Sequence, residues 1–320
     1  MLQIVPDYYG RFRCLAGACR HSCCIGWEID VDEQALACYS ALPGALGEKL
    51  RGAVSQGDTP HFLLTAESER CPFLTEGNLC ELILSGGEEL LCQICRDHPR
   101  FRTFLPDRTE TGLGLCCEAA AALVLAQKER PHFVRTGEDG EPDRKIEALL
   151  AIRDDIMSTI FDRSLSLDAR MEEILRLTCA KLPARNMAAW AEFLLPLERL
   201  DESWTELLYL LGERGDSVNI TQFQAYMSAR VTEYEQLLAY FIFRHFMKGY
   251  EDGDPSGKAA FAVLSVRIIL TLGALLWEKR GGFTFDDQAE LSRMYSAEIE
   301  YSEDNLDALF DELYQDPWSV

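Results

Sequence analysis

The residues best suited to chemistry in this sequence are its cysteines. The chain holds 12 cysteines, and 11 of them lie before residue 120. Thiolates separated by two to four residues can turn back on one metal centre, because such a loop spans a tetrahedral site or the corner of a cluster. The spacing therefore predicts metal binding. The groups are Cys14-x4-Cys19-x3-Cys23-Cys24, Cys71-Pro-Phe-Leu-x5-Cys80, Cys92-x2-Cys95 and Cys116-Cys117.

Two kinds of metal centre accept thiolates, and ligand softness does not separate zinc from an iron–sulfur cluster. Zinc ribbons repeat C-x2-C pairs, whereas only Cys92 and Cys95 form such a pair here. The irregular spacing favours an iron–sulfur cluster, with zinc as the alternative. The C-x3-C-x2-C spacing of radical S-adenosylmethionine proteins is absent, because Cys24 follows Cys23 directly.

Some cysteines have another expected role. Free cysteine is among the most buried residue types, so we expect Cys38, on a predicted amphipathic helix, and Cys179 to fill space. Adjacent residues in an extended segment point to opposite faces. One of Cys116 and Cys117 is therefore expected to pack rather than to bind metal.

Composition narrows the class of protein. The 320 residues are 48% hydrophobic and 26% charged, with a formal net charge of −22, which is typical of a soluble globular protein. So acidic a chain repels phosphate groups, which argues against binding to nucleic acid or to an anionic membrane. The longest apolar stretch, Phe261 to Trp277, contains Arg267 and is shorter than the roughly 20 residues of a membrane span. We expect a buried helix there.

The start of the sequence, MLQIVPDYYGRFRC, has no basic region followed by an apolar run. No secretory signal is therefore visible, and the expected location is the cytoplasm. Thiols stay reduced in that compartment, so clustered cysteines indicate metal or redox chemistry rather than disulfides.

The elements that must position these cysteines differ along the chain. Before residue 135, short apolar or alternating runs are broken by Pro, Gly and Asp, which is typical of loops and small hairpins. Helical patterns occur there only near residues 32–54 and 118–128. The segment 135–144 combines Gly, Pro and charged residues and predicts an exposed connection.

Beyond that connection, apolar residues recur at three- and four-residue steps, which predicts helices. Ser166 and Ser302 precede acidic first turns and are predicted N-caps. The predicted fold is mainly α, with a small cysteine-rich metal-binding module with short hairpins at residues 1–134 docked on an all-helical bundle at residues 145–320. The helical windows are 146–161, 167–181, 187–211, 221–250, 258–279, 289–300 and 306–314.

At the cysteine groups the sequence resembles the flagellin lysine-N-methylase (FliB-like) family. The matching features run from Pro6 to Ala120, and a further similar segment spans Tyr240 to Phe246. The features are Pro6-x-Tyr8-Tyr9-x2-Phe12-x-Cys14, the C-x4-C-x3-CC-x2-W run ending at Trp27, the C-P-F-L-x5-C run, Gly87-Glu88-x2-Leu91 to Cys95-Arg96-x2-Pro99-Arg100, and Leu115-x-Cys117-Glu118-Ala119-Ala120.

The resemblance implies a protein that holds an iron–sulfur cluster, expected to be [4Fe–4S], and transfers methyl groups from S-adenosylmethionine to lysine ε-amines. Flagellin is the type of target that it implies. This sequence adds Cys92 and Cys116 to the cysteines of the family, and has His98 where an aromatic residue often precedes Pro-Arg. The family's cysteines fall on Cys14, Cys19, Cys23, Cys24, Cys71, Cys80, Cys95 and Cys117. Eight thiolates exceed the needs of one four-iron cluster, so the ligand subset stays open.

Methyl transfer from a sulfonium to an amine needs an unprotonated nucleophile, its alignment with the donor and a path for the lost proton. The reference pKa of lysine is about 10.4, so the site must desolvate the amine or supply a proton acceptor. Candidates for the acceptor lie beside the cysteine groups, although each could instead pack or support a ligand. They are Tyr8, Tyr9, His98 and Glu118.

Two arginines, Arg96 and Arg100, could bind the carboxylate of the donor or offset the negative charge of a thiolate cluster. The sequence has no Gly-rich strand-to-helix turn of the usual methyltransferase type, because Gly112-Leu-Gly114 is too short a match. The sequence therefore favours a protein-lysine N-methyltransferase acting on a protein with exposed lysines. The alternative is a non-enzymatic zinc- or iron-chelating or redox-sensing module.

Overall fold

The structure is a computed structural model and describes residues 1–66, 69–138 and 140–315. It is mainly helical and contains a four-stranded sheet, in agreement with the predicted mainly α class. The chain divides into two compact units, which are Arg13–Arg100 on one side and Met1–Phe12 with Phe101–Val320 on the other.

The Arg13–Arg100 unit consists of short helices joined by long loops. Its helices are α1 (Glu33–Ala41), α2 (Gly44–Ala53), α3 (Glu81–Gly86) and α4 (Gln93–Asp97). The predicted helical pattern over residues 32–54 is two helices, because Pro43 and Gly44, with φ of +79°, separate α1 from α2. Asp32 begins α1 by accepting the backbone N–H of Ala35 at 3.0 Å.

A small core holds this unit together. The rings of Tyr39, Phe62 and Phe73 pack in sequence, with centroids 6.1 and 5.1 Å apart. Cys71 and Cys92 are buried within the same core. The side chains that fold this unit are therefore also the neighbours of its thiols.

The second unit contains the sheet. Its strands are β1 (Leu2–Pro6), β2 (Arg100–Phe104), β3 (Arg108–Leu113) and β4 (Phe133–Thr136), in the order β2-β3-β1-β4. Strands β2 and β3 form the expected short hairpin, in which Leu105 and Arg108 exchange backbone hydrogen bonds of 2.8 and 3.3 Å. Strand β1 pairs parallel with β3 and antiparallel with β4.

This pairing places the unit boundaries at residues 12 and 100, earlier than the predicted boundary at 134. Because β1 hydrogen-bonds to β3 and β4, the first residues belong with the helical half rather than with the cysteine groups that follow them. The described residues of 135–144 are exposed, apart from the half-buried Asp143, and β4 extends into this segment.

Helices form the rest of this unit. They are α5 (Glu118–Leu125), α6 (Arg144–Ile160), α7 (Leu167–Leu177), α8 (Met187–Leu194), α9 (Glu202–Arg214), α10 (Ile220–Tyr226), α11 (Thr232–His245), α12 (Gly249–Asp252), α13 (Pro255–Arg280), α14 (Phe285–Tyr295) and α15 (Glu303–Leu313). A π-helical turn, Ser296–Glu300, follows α14. The predicted N-caps are confirmed, since Ser166 accepts from the N–H of Ala169 at 3.2 Å and Ser302 from that of Asn305 at 3.4 Å.

Helix α13 is the core helix of this unit. Asp254 caps its start by accepting the N–H of Gly257 at 2.8 Å, and Gly281, with φ of +73°, ends it. By length and composition this helix could cross a membrane, but 94% of its most apolar window is buried inside the protein. The predicted buried helix over Phe261 to Trp277 is confirmed.

The expectation that Cys38 and Cys179 are buried space-fillers is wrong, because both are exposed. Cys38 lies on the outer face of α1, because Ala35 and Tyr39 are the residues of this helix that face the core. Cys179 lies in the turn after α7, with φ of +52°, outside the packed face of that helix.

Candidate functional site

Backbone pairing in the Arg13–Arg100 unit places three cysteines on neighbouring segments. The N–H of Cys71 donates to the carbonyl oxygen of Cys24 at 2.8 Å, next to a β-bridge between Ile25 and Arg70. A second bridge joins Leu74 to Cys80. Cysteines from distant positions in the sequence are thus held together by main-chain hydrogen bonds.

Six thiols of this unit form what we call the thiol cluster, which consists of Cys23, Cys24, Cys71, Cys80, Cys92 and Cys95. The sulfurs of Cys92 and Cys95 lie 3.4 Å apart, and the side chains of Cys23 and Cys24 are hydrogen-bonded. The remaining members are close enough for the charge on one sulfur to shift the pKa of another. Cys92, outside the cysteines that the family resemblance implies, is fully buried at this point.

Main-chain N–H groups lie near two of these sulfurs. The N–H of Phe73 acts to lower the pKa of Cys71, and the N–H groups of Leu82 and Ile83 act to lower the pKa of Cys80. Cys80 and Cys92 are the N-caps of α3 and α4, where N–H groups lack helical partners. Such donors stabilise a thiolate more than a thiol.

Burial opposes this effect. It raises the pKa of Cys71 to about 12 and raises the pKa of Cys80 as well. The hydrogen bond from Cys23 lowers the pKa of Cys24 to about 7. The hydrogen bond between the thiols of Cys92 and Cys95 lowers the pKa of Cys92 and raises the pKa of Cys95. A bound cation would draw all of these thiols toward the thiolate form.

The residues present fit a thiolate-bound metal by the chemistry of their donors. In the described part of the chain, no three Cys, His, Asp or Glu side chains converge closely enough to hold a metal ion as they stand, so a metal would have to draw the sulfurs together. The Nε of Arg96, directly after Cys95, is buried and without a hydrogen-bond partner among the described residues. A buried guanidinium N–H without such a partner suits a negatively charged group at this position.

Other predicted residues of this unit lie around the cluster or in its loops. His98 is half-buried, with its ring 6.2 Å from that of Trp27, and burial lowers its pKa to about 4. Its imidazole is therefore neutral at pH 7. Arg100 donates to the carbonyl oxygen of Arg96 at 3.2 Å. Cys14 is exposed and accepts from the N–H of Ala16, whereas Cys19 donates to the carbonyl oxygen of His21.

The remaining predicted residues belong to the second unit. Cys117 is the N-cap of α5 and Glu118 is the first residue of that helix. Burial raises the pKa of Cys116 to about 12. Tyr8 is buried in the main apolar core and Tyr9 packs against it, which favours the packing role for Tyr8. The eight cysteines implied by the resemblance therefore do not all lie in one unit.

Sequence reasoning missed a second candidate site, a buried network in the helical unit. We call it the Glu300 network; its members are Tyr240, Arg244, His245 and Glu300. The carboxylate of Glu300 accepts from His245 Nε2 at 2.6 Å and from the Tyr240 hydroxyl at 2.9 Å. Arg244 donates to the Tyr240 hydroxyl at 2.7 Å and to the main-chain oxygen of Glu300 at 3.3 Å.

The charge states in this network follow from its surroundings. Burial lowers the pKa of His245 to about 3, so its ring is neutral. Burial by itself would raise the pKa of Glu300, but the Arg244 guanidinium and the bond to His245 hold it below its usual value. Arg244 and Glu300 therefore form an ion pair. The neutral side chains of Tyr240 and His245 donate hydrogen bonds to the Glu300 carboxylate.

Two elements bring these four side chains together. Tyr240, Arg244 and His245 lie on α11, which is buried on all sides from Glu233 to His245. Glu300 ends the π-helical turn after α14, and turns of this kind are frequent at functional sites. The signal in the sequence was charged residues within the aromatic run from Tyr240 to Phe246, because such residues are buried only with partners.

Comparison with known proteins gives the family. The family described as FliB lysine N-methylase C-terminal domain matches residues 143–319, which is more than half of the chain. The lysine-N-methylase of Salmonella typhimurium strain LT2 is 25% identical over 126 residues, which is 38% of this chain and 31% of that protein. The flagellar biosynthetic protein FliU of Salmonella muenchen is also 25% identical over 126 residues, or 38% of this chain and 75% of that protein.

A second lysine-N-methylase, from Salmonella choleraesuis, is 24% identical over 133 residues, again covering 31% of its length. The match thus spans about a third of each lysine-N-methylase. No solved structure matches the chain significantly. On the strength of the domain that fills its helical half, the chain belongs to the FliB lysine N-methylase family.

Proposed function

We propose that this protein is a protein-lysine N-methyltransferase that takes its methyl group from S-adenosylmethionine. The observation that carries the proposal is the family domain over residues 143–319. The names of the relatives, lysine-N-methylase and flagellar biosynthetic protein, support a flagellar protein as substrate. The substrate that we propose is flagellin with exposed lysines. The cytoplasm is the proposed location.

The reaction breaks the carbon–sulfur bond of the donor, forms a carbon–nitrogen bond and releases one proton from the amine. The lysine must therefore reach the donor unprotonated. Of the candidate acceptors, His98 is neutral at pH 7 because burial lowers its pKa to about 4, and Glu118 opens α5. Tyr8 is less suited, since burial raises its pKa and places it in the core.

We further propose that the thiol cluster holds an iron–sulfur cluster of the [4Fe–4S] type, with zinc as the alternative. Cys71, Cys80, Cys92 and Cys95 would hold it, with Cys24 beside them. When bound, the cluster would link segments of a unit that has a small core of its own. Arg96 would offset its negative charge, because its buried Nε has no partner among the described residues.

Charge favours the proposed partner. The chain carries a net charge of −22, so its field attracts a segment that bears lysines. The attraction acts between exposed charges, and salt screens it beyond about 8 Å at physiological ionic strength. The rate of methylation at low substrate concentration is therefore expected to fall as salt rises.

Binding of the donor separates this proposal from the alternative of a metal-chelating or redox-sensing module. Isothermal titration of the anaerobically purified chain with S-adenosylmethionine is expected to give saturable binding. S-adenosylhomocysteine, the product, should compete, whereas methionine should not. A chelator has no reason to bind the donor, so the absence of any heat of binding to metal-loaded protein would favour the alternative.

A further inference from the structure

We propose that two side chains of helix α1 hold the thiol of Cys92 facing that of Cys95 for the binding of metal. Asp32 and Tyr39 are the two positioning residues, since they contact the main chain on either side of Cys92. The proposal rests on the proposed metal site, in which both thiols are ligands. All residues involved belong to the Arg13–Arg100 unit.

The first contact is made by the carboxylate of Asp32, which joins two helices. Its Oδ1 accepts the N–H of Ala35 at 3.0 Å and caps α1. Its Oδ2 accepts the N–H of Gln93 at 2.6 Å. Gln93 is the first residue of α4 and directly follows Cys92, the N-cap of that helix. One side chain therefore ties the main chain immediately after Cys92 to the start of α1.

The second contact lies on the other side of Cys92. The hydroxyl of Tyr39 donates to the carbonyl oxygen of Leu90 at 2.8 Å. The seven residues from Asp32 to Tyr39 rise about 10 Å along a helix. The three residues from Leu90 to Gln93 span about the same distance, because the backbone between them is extended. The two side chains on α1 are therefore spaced to hold this segment at both ends.

The segment held in this way carries one thiol of a close pair. Cys92 is fully buried, and its sulfur lies 3.4 Å from that of Cys95. The carbonyl oxygen of Cys92 accepts the N–H of Arg96 at 3.1 Å, which closes the turn that contains Cys95. The direction of the Cys92 side chain relative to this turn therefore depends on the two contacts with α1.

Other contacts already hold α1 in the unit. The ring of Tyr39 packs 6.1 Å from that of Phe62. Arg51 donates to the carbonyl oxygens of Tyr39 and Leu42 at 3.1 and 2.9 Å, at the C-terminal end of the helix. The Tyr39 hydroxyl and the second oxygen of Asp32 add directed hydrogen bonds next to the thiol pair. Hydrogen bonds that orient metal ligands are typically worth about 10- to 100-fold in metal affinity.

The test uses three variants of the full-length chain. Asp32→Ser keeps an oxygen that can cap α1 but has no second acceptor for the N–H of Gln93. Tyr39→Phe keeps the ring and loses the hydrogen bond to Leu90. Arg51→Met is the matched control, because it removes hydrogen bonds from the C-terminal end of α1 and leaves both contacts beside the thiol pair in place.

The first readout separates local positioning from general loosening of the unit. In chelator-treated protein, mass spectrometry of peptides cut at glutamate compares the rates at which iodoacetamide alkylates Cys92 and Cys71, which is buried in the same core. We expect Asp32→Ser and Tyr39→Phe to raise the ratio of the Cys92 rate to the Cys71 rate about 2- to 10-fold, as for the loss of one net hydrogen bond. Arg51→Met should leave this ratio unchanged.

The second readout is the affinity for a soft metal ion. Chelator-treated protein is titrated with Cd²⁺ alone, and the ultraviolet absorption of cadmium–thiolate bonds reports binding. We expect Asp32→Ser and Tyr39→Phe to bind Cd²⁺ about 10-fold more weakly than the wild type, and Arg51→Met to bind it as the wild type does. Tyr39→Phe serves alone if Asp32→Ser does not fold.

An unchanged alkylation ratio in Asp32→Ser and Tyr39→Phe, or an equal rise in Arg51→Met, would overturn the positioning role. A raised ratio with unchanged affinity for Cd²⁺ would overturn it as well, since metal binding would then not depend on α1. If the wild type binds no Cd²⁺ and holds no metal as purified, the proposed metal site fails, while the ratio still decides whether α1 positions Cys92. If the wild type binds Cd²⁺ and the ratio does not change, the metal site stands and the positioning role is wrong.

Discussion

The backbone N–H of Cys71 donates to the carbonyl oxygen of Cys24 across 2.8 Å. This bond and the neighbouring bridges place Cys24, Cys71 and Cys80 of the thiol cluster on adjacent segments through the main chain. A metal would draw in sulfurs that the fold has already collected. This arrangement lowers the conformational entropy that binding must overcome.

The role of individual thiols can be tested by substitution with serine. We expect Cys71→Ser and Cys80→Ser to reduce bound metal strongly, since a hydroxyl is a poor replacement for a thiolate toward soft metals. Metal per chain is measured by elemental analysis of anaerobically purified protein.

The matched control is Cys38→Ser. Cys38 is exposed on α1, so this variant should keep its metal and change the free energy of unfolding by no more than about 0.5 kcal/mol. Full metal retention in Cys71→Ser and Cys80→Ser would argue against the thiol cluster as the metal site.

The kind of metal is a separate prediction. The irregular cysteine spacing leads us to expect iron and acid-labile sulfide in protein purified without oxygen, with the broad visible absorption of an iron–sulfur cluster. Iron, sulfide and zinc are measured on the same sample. A colourless protein with stoichiometric zinc would exclude the iron–sulfur assignment and leave the thiol cluster as a zinc site.

The sequence predicted the helical half well because helices leave a local signal. The 3.6-residue periodicity and the caps Ser166 and Ser302 depend on neighbouring residues only, and both caps are present. The boundary at residue 134 differs from the observed units because the pairing of β1 with β3 joins segments that are about 100 residues apart. Single-sequence patterns carry no information on such a pairing.

The candidate sites were likewise predictable only where the signal in the sequence is local. Spacing identified the cysteine groups, but it could not rank Cys92, which lies buried in the thiol cluster, because only the fold brings it to Cys71 and Cys80. It also missed Glu300, whose partners lie on a different helix. The exposure of Cys38 and Cys179 was missed since burial statistics describe cysteine in general and not a given face of a helix.

A buried ion pair gives a prediction on stability. Arg153 donates to both oxygens of Glu110, at 2.5 and 2.7 Å, and both side chains are buried. Glu110→Gln keeps the shape but leaves a buried guanidinium without its counter-charge, so we expect a loss of about 3–5 kcal/mol in the free energy of unfolding. Urea denaturation measures this loss.

The comparison for that variant is Glu173→Gln, which breaks an exposed pair with Arg176 and should leave the free energy of unfolding nearly unchanged. Equal effects of the two substitutions would mean that the pair between Glu110 and Arg153 contributes no more than a surface pair.

The pH dependence of stability should report on His245. Burial lowers its pKa from 6.5 to about 3, so below pH 6.5 the unfolded chain binds a proton that the folded chain does not. The contribution of neutral His245 to the free energy of unfolding is therefore fully present above pH 6.5. It is lost as the pH falls from 6.5 toward 3, by up to about 1.4 kcal/mol per pH unit.

Urea denaturation of the wild type and His245→Gln between pH 7 and pH 4.5 measures this slope. The variant should lose stability less steeply than the wild type as the pH falls, whatever its stability at pH 7. His132→Gln, at an exposed position, is the control and should follow the wild type. If the free energy of unfolding falls with the same slope in all three proteins, His245 is not the group that causes the pH dependence.

The most direct measurement is methylation of lysine itself. The chain, purified without oxygen and with its metal intact, is incubated with S-adenosylmethionine carrying a labelled methyl group and with flagellin from the same organism, and the lysines of flagellin are mapped by mass spectrometry. We predict labelled methyl groups on lysine ε-amines, formed only with donor and enzyme present and more slowly at high salt. If flagellin and every other offered protein stay unlabelled while the metal is intact, the chain is not a lysine N-methyltransferase on its own and the metal-binding alternative is favoured.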